Sequence, residues 1–208
     1  MTSFLRRAVL PLVLVLATGA VATQPAAAGA PSDQLKGQID RVLKLLDDSE
    51  LKKEHKAKDR RVAVRKVAND IFDFGETARR SLGRHWQGRT PAEREEFVQL
   101  FSDLLERSYI SRVELYGGEK IHYAGDTIEG DQAKVQTKLL TKSGSDIPIE
   151  YRMHRKGDRW LVYDVVIEGV SLVANYRTQF NKIIRTTSYQ ELVRKMKTKQ
   201  EELASGQS

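Results

Sequence analysis

Four histidines, His55, His85, His122 and His154, and one carboxylate inside an apolar run, Asp164, are the residue types best suited to chemistry in this chain. The histidines fall in separate segments without metal-ligand spacing, so a metal centre has no donor set to build on. The chain has no cysteine, which removes thiolate catalysis and disulfides together. A G-x-S-x-G elbow and a phosphate-cradling glycine loop are also missing. Asp164, in "WLVYDVVIEG", has two readings: an acid or base of perturbed pKa in a pocket, or an acceptor for backbone N–H groups or an arginine. We take the structural role as the leading one. An exported enzyme using Asp164 is the alternative.

The elements around these residues are legible from periodicity. Leu35, Ile39, Val42, Leu43 and Leu46 recur at helical spacing from Ser32 onward, and Val64, Val67, Ala68, Ile71 and Phe72 mark a second helix after a charged lead-in, interrupted near Gly75. "GRTPAEREEF" offers Thr90 as N-cap, Pro91 at the first helical position and Glu93 three residues past the cap, the parts of a capping box. The face that follows, Phe97, Leu100, Phe101, Leu104, Leu105, Tyr109 and Val113, must be buried against something.

After Gly118 the period changes to two. Four runs, Lys120 to Ile128, Gln132 to Thr141, Asp146 to Arg155 and Arg159 to Glu168, are separated by "EGD", "KSGS" and "KGD", which predicts an antiparallel meander with one polar face. Ser171 is placed to cap a helix whose inward stripe is Leu172, Val173, Tyr176, Phe180, Ile183 and Ile184. A last helix spans Tyr189 to Leu203, mostly charged beyond Val193 and expected to fray. Helices, four strands and helices again give an α+β layer in which helices cover one sheet face.

The first residues stand apart. "MTSFLRR" is basic and "AVLPLVLVLATGAVA" is apolar and ends in small residues, the composition of a secretory leader with an A-x-A-like site at Ala20–Ala22 or Ala26–Ala28. An uncleaved anchor is the alternative, poorly served by Pro11 and the short run. Residues 1–28 are therefore assigned to signal and linker, and 29–208 to a single domain. The net charge of +7 includes Arg6 and Arg7 of that leader. The remaining charges are mixed along the helices, which fits a solvated surface or contact with anionic membranes or an acidic partner. Nucleic acid is not an expected partner of an exported chain.

Phe97, Phe101 and Tyr109, Tyr151 and Met153, and Trp160, Tyr176 and Phe180 converge from different elements, and periodicity does not separate a filled core from a cavity. Here the chain resembles a known family. "LGRHWQGRTPAEREEFVQLFSDLLERSY" (82–109) with "WLVYDVVIEGVSLVANYRTQF" (160–180) is similar to the MlaC family, periplasmic phospholipid-binding proteins also called toluene-tolerance proteins. The matching positions are Leu82-Gly83, Trp86, Thr90-Pro91, Phe97 and Tyr109, then Asp164-Val165, Glu168-Gly169, Ser171-Leu172, Asn175-Tyr176-Arg177 and Phe180. The resemblance extends through most of 35–203. One departure is "SYQELVRKMKTKQEEL", which lacks the glycine-containing version common before the last helix.

The resemblance implies a curved four-stranded antiparallel sheet wrapped by helices, as in nuclear-transport-factor-like folds, with an apolar cavity for acyl tails. It implies a periplasmic, non-enzymatic carrier of glycerophospholipid that has no cofactor beyond its cargo. The implied partners are an inner-membrane ABC transporter with a substrate-binding ring and an outer-membrane lipoprotein bound to a porin. A hopanoid-linked subgroup is not excluded. On this reading Phe97, Phe101, Leu105, Tyr109, Ile149, Tyr151, Met153, Trp160, Val165, Ile167, Leu172, Val173, Tyr176 and Phe180 face lipid or the core beside it; for Arg152 and Arg177 surface solubility is the leading reading and a place beside the headgroup the alternative.

Overall fold

The computed structural model describes residues 30–142 and 144–205. The leader and linker assigned to residues 1–28 lie outside the described residues. The described elements are α1 (Ala30–Asp47), α2 (Ala57–Ile71), α3 (Phe74–Leu82), α4 (Pro91–Glu114), β1 (Lys120–Glu129), β2 (Gln132–Leu140), β3 (Asp146–Lys156), β4 (Arg159–Ile167), β5 (Val170–Ser171), α5 (Leu172–Thr186) and α6 (Tyr189–Ser205). Among the described residues no helix is long and apolar enough to cross a membrane.

The strands pair antiparallel in the order β1-β2-β3-β4-β5. The sheet therefore has five strands rather than the four expected. The fifth is a two-residue return, Val170–Ser171, pairing with Val166 and Ile167, too short to leave a period-two signal. The register shifts between Tyr123 and Gly125 and again between Arg152 and Met153. Such irregularities bend strands and curl a sheet.

The capping box forms as the sequence predicts: the Glu93 amide donates to Thr90 Oγ1 (3.2 Å) and the Thr90 amide donates to Glu93 Oε2 (2.8 Å). The break after α2 comes earlier than Gly75. Phe72 is extended and bridges to Val162 on β4, and the Asp73 amide donates to the Val162 carbonyl at 2.9 Å. A strand edge left open by the short β5 thus takes a partner from the chain between two helices. The Asp73 side chain then accepts the Glu76 amide (2.9 Å) and starts α3. Helix α6 does not stop being useful at Val193, because Met196 is buried one turn later.

Packing divides into two apolar clusters. The helical one joins α3, α4, α5 and α6 through Leu82, Phe97, Phe101, Phe180, Leu192 and their neighbours. The other joins α1 and α2 to the sheet through Leu35, Val67, Ile71, Val135, Met153 and Val162. Among the described residues none belongs to both.

Candidate functional site

The sheet presents one apolar face in rows set by the register. Ile121 lies opposite Leu139 and Leu139 opposite Ile147, Tyr123 lies opposite Thr137 and Thr137 opposite Ile149, and Val135, Tyr151 and Val165 form a third row. A fourth row, Ala133, Met153 and Val162, is closed off by Leu35, Val67 and Ile71 of α1 and α2. Burial falls along the strands away from that closed row: Ile147, Ile149, Tyr151 and Val165 are half-buried, and Ile167 is 42% exposed.

The fourteen residues expected to meet lipid or core separate accordingly. Phe97, Phe101, Leu105 and Phe180 are buried in the helical cluster, where the rings of Phe101 and Phe180 lie 5.2 Å apart edge to face. Met153 and Trp160 are buried at the closed end of the sheet. Tyr109, Leu172 and Tyr176 are half-buried against the helical cluster, and Ile149, Tyr151 and Val165 are half-buried on the sheet. Val173 belongs to neither cluster, because it looks into a polar pocket on the far side of α5.

The tyrosines carry the electrostatic signature of this region. Burial pushes the Tyr151 hydroxyl up to about 12, although Thr137 offers it a hydrogen bond, and the side chain still keeps accessible surface. Burial also takes Tyr176 up to about 12, with Tyr109 beside it adding to the rise. Tyr123 is raised by burial, and its hydroxyl has no partner. Sequence reasoning missed Ile121, Tyr123, Thr137 and Leu139, and placed Ile147 on the apolar face without counting it among the site residues. The alternation of β1 and β2 carries the same signal as that of β3 and would have found them.

Asp164 is 3% exposed and is used structurally. Its carboxylate accepts Ser171 Oγ (2.7 Å), the Val173 amide (2.9 Å) and Arg152 Nη1 (3.3 Å), while Ser171 caps α5 by accepting the Ala174 amide. Strand β4 is thereby tied to the first turn of α5, and each Asp164 oxygen is engaged. The histidines stay apart: His154 meets Asp73, His85 meets Asn181, and His55 and His122 are exposed. Among the described residues no group of three or more histidines and carboxylates could hold a metal ion.

On the opposite side of β3 and β4 from Tyr151 and Val165 is a pocket of about 290 Å³. Its wall includes Arg79 and Arg80 of α3, Trp86, Arg152 and Tyr163 of the sheet, and Arg177 of α5.

Comparison with known proteins places this architecture. The family model described as MlaC protein matches residues 36–198. The chain belongs to the MlaC family. Among curated MlaC relatives, the intermembrane phospholipid transport system binding protein MlaC of Haemophilus influenzae is 25% identical over 138 residues, 62% of this chain and 64% of that protein. The chain thus spans just under two thirds of that relative's length. Toluene tolerance protein ttg2D of Pseudomonas putida is 23% identical over 191 residues, 86% of this chain and 82% of that protein. Among solved structures, a phospholipid-binding protein from Ralstonia solanacearum, in complex with a phospholipid, superposes with a TM-score of 0.71. It is 23% identical, and the match covers 83% of this chain and 97% of that one. The MlaC fold is the architecture found here, with its sheet and helices in place.

Proposed function

We propose that this MlaC-family protein is an extracytoplasmic carrier that holds the acyl chains of a glycerophospholipid between the sheet and helices α4 and α5. The observation that carries the reading is Tyr151. Its hydroxyl is desolvated strongly enough to be raised to about 12, yet the side chain keeps accessible surface. A side chain that is deep and still accessible is what the wall of an internal space would show. Tyr176 repeats the combination from the helical side. The walls of that space are the half-buried residues: Ile149, Tyr151 and Val165 from the sheet, and Tyr109, Leu172 and Tyr176 from the helices.

The distribution of exposed apolar side chains supports the same reading. Leu115 is 81% exposed and Val170 64%. Leu140 and Ile167 close β2 and β4 at the same end of the sheet, Val170 pairs with Ile167, and Leu115 follows the last residue of α4. Gly117, two residues past Leu115, lies against Lys142 of the β2–β3 turn. An apolar rim beside a half-open apolar face suits the entry of lipid tails. Each CH₂ taken from water is worth ~0.8 kcal/mol, so two acyl chains supply enough to hold a lipid in an aqueous compartment.

The carrier needs no catalytic group, and Asp164 is committed to fixing α5. Transfer would run between an outer-membrane lipoprotein–porin complex and an inner-membrane ABC transporter with its substrate-binding ring. The relatives' names support phospholipid as cargo. Export by the leader would place the protein in the periplasm.

The test is to express the full chain in a Gram-negative host, purify it from the periplasm without detergent, and record a native mass spectrum followed by lipid extraction. A stoichiometric adduct of phospholipid mass is expected. Bare protein in repeated preparations would overturn the carrier reading.

A further inference from the structure

The arginine pocket behind the sheet is the feature that the carrier reading leaves unused. Its cations come from three elements: Arg79 and Arg80 from α3, Arg152 from β3 and Arg177 from α5. The carboxylates that answer them are Glu76 for Arg79 and Arg80, and Glu150 and Asp164 for Arg152. Arg177 makes no hydrogen bond or ion pair with any described residue. Four guanidiniums face three carboxylates, and the unmatched charge is Arg177.

Donor counting sharpens this. A guanidinium carries five N–H groups in a planar fork. Glu76 takes Nε and Nη2 of Arg79 and Nε of Arg80. Glu150 takes Nε and Asp164 takes Nη1 of Arg152. The Nη1 of Arg79, both terminal nitrogens of Arg80, the Nη2 of Arg152 and the whole of Arg177 remain. Asp164, the carboxylate in the pocket wall, already accepts from Ser171, Val173 and Arg152, so its charge is largely answered.

The shape is held in place by neighbours. The Arg80 guanidinium lies 3.8 Å from the centre of the Tyr163 ring, a stacking that fixes its plane. Gly83 sits at φ 58°, and a Cβ there would come within 3.1 Å of Arg177 Cδ, so the missing side chain lets the Arg177 stem run across the end of α3. Donors that converge from three elements onto a small volume suit an acceptor with oxygens on several sides. A tetrahedral phosphate meets that need, whereas a planar carboxylate is satisfied by one fork.

We propose that the pocket bounded by Arg79, Arg80, Arg152 and Arg177 binds a phosphate oxyanion, with Arg177 supplying the charge the protein leaves uncompensated. The site lies across the sheet from the lipid-facing residues, so it does not depend on the carrier reading. The oxyanion is either the phosphate of a lipid headgroup or a soluble phosphate compound.

The test is a titration of the isotope-labelled mature protein with inorganic phosphate, following the arginine Nε–Hε signals and the Ala174 amide by NMR, against chloride at matched ionic strength. Saturable shifts confined to the pocket are expected with phosphate alone. Arg177→Gln, at an exposed helix position, should weaken binding about tenfold or more, and Arg84→Gln on the neighbouring turn should leave it unchanged. Linear shifts that chloride reproduces, an Arg177→Gln protein that binds like the parent, or equal losses in the two variants would each overturn the site. Competition against inorganic phosphate with a soluble short-chain phospholipid and with a sugar phosphate separates the sources. Displacement by the phospholipid alone identifies a headgroup phosphate, and displacement by the sugar phosphate alone identifies a soluble phosphate compound.

Discussion

Glu114, in the last turn of α4, accepts a 3.0 Å ion pair from Arg60 of α2. Arg61 reaches the same carboxylate at 3.1 Å, and Arg65 pairs with Glu106 further along the two helices. Helix α2 gives its apolar side to the sheet cluster and α4 gives its own to the helical cluster. The bridge between the two bodies on this side is therefore ionic. Glu114→Gln should leave the largely buried Arg60 without its counter-charge and lower stability by about 1–3 kcal/mol. Arg61→Gln, at an exposed position, should cost less than about 0.5 kcal/mol. Urea unfolding measures both, and lipid transfer to vesicles should be faster for Glu114→Gln than for the parent.

Core and wall positions should respond in opposite ways. Phe101 is packed by the rings of Phe97, Tyr176 and Phe180, so Phe101→Ala should lose about 3–5 kcal/mol. Val165 and Tyr176 are half-buried on facing elements, so Val165→Asp or Tyr176→Asp should remove co-purifying lipid while the far-ultraviolet spectrum stays native. Full lipid content in both variants would take these residues off the wall.

Acid should weaken the ion pairing within α3. A hydrogen bond from Arg79, helped by Arg80, lowers the Glu76 carboxyl from 4.5 to about 2 against the opposing effect of burial. A carboxylate depressed in the folded state stabilises fully above its unfolded pKa, and the gain is lost as pH falls from 4.5 towards 2. The stability difference between the parent and Glu76→Gln should be constant near neutrality and shrink below pH 4.5. A difference independent of pH would contradict the pairing.

Gly83 answers to two demands, a positive φ and the passage of Arg177. Gly83→Ala should cost about 1–2 kcal/mol from backbone strain alone. Comparison with Gly83→Ala/Arg177→Ala by thermal unfolding separates the terms: relief in the double variant measures the clash.

Much of this was legible in the sequence. The Thr90-Pro91-Glu93 box, the Ser171 cap and the four long strands follow from local rules, because each is decided by groups a few residues apart. The break at Phe72 and Asp73 was not, since its cause is the open edge of β4, some ninety positions away. The site was legible by half. Alternation identified Ile147, Ile149, Tyr151 and Met153 of β3 as one face, but a stripe at helical spacing reads the same for Phe101, which is walled in by rings, as for Tyr176, which keeps open surface. Val173 was placed on the inward stripe with Leu172, but adjacent positions of α5 point about 100° apart, and its side chain meets the rear pocket instead of the helical cluster. Arg152 and Arg177 were named singly, as surface residues or neighbours of a headgroup, and nothing in the sequence joins them to Arg79 and Arg80, because the four become neighbours only when three elements meet.

The division into two clusters without a common side chain has a consequence for how such sequences can drift. A volume change inside the helical cluster is answered first among α3 to α6, and one at the closed end of the sheet on α1 and α2, while Phe72 stacked on Phe74, with ring centres 5.6 Å apart, couples the two where they meet. What must stay together is the short passage that serves both, Asp164 with Ser171 and the first turn of α5.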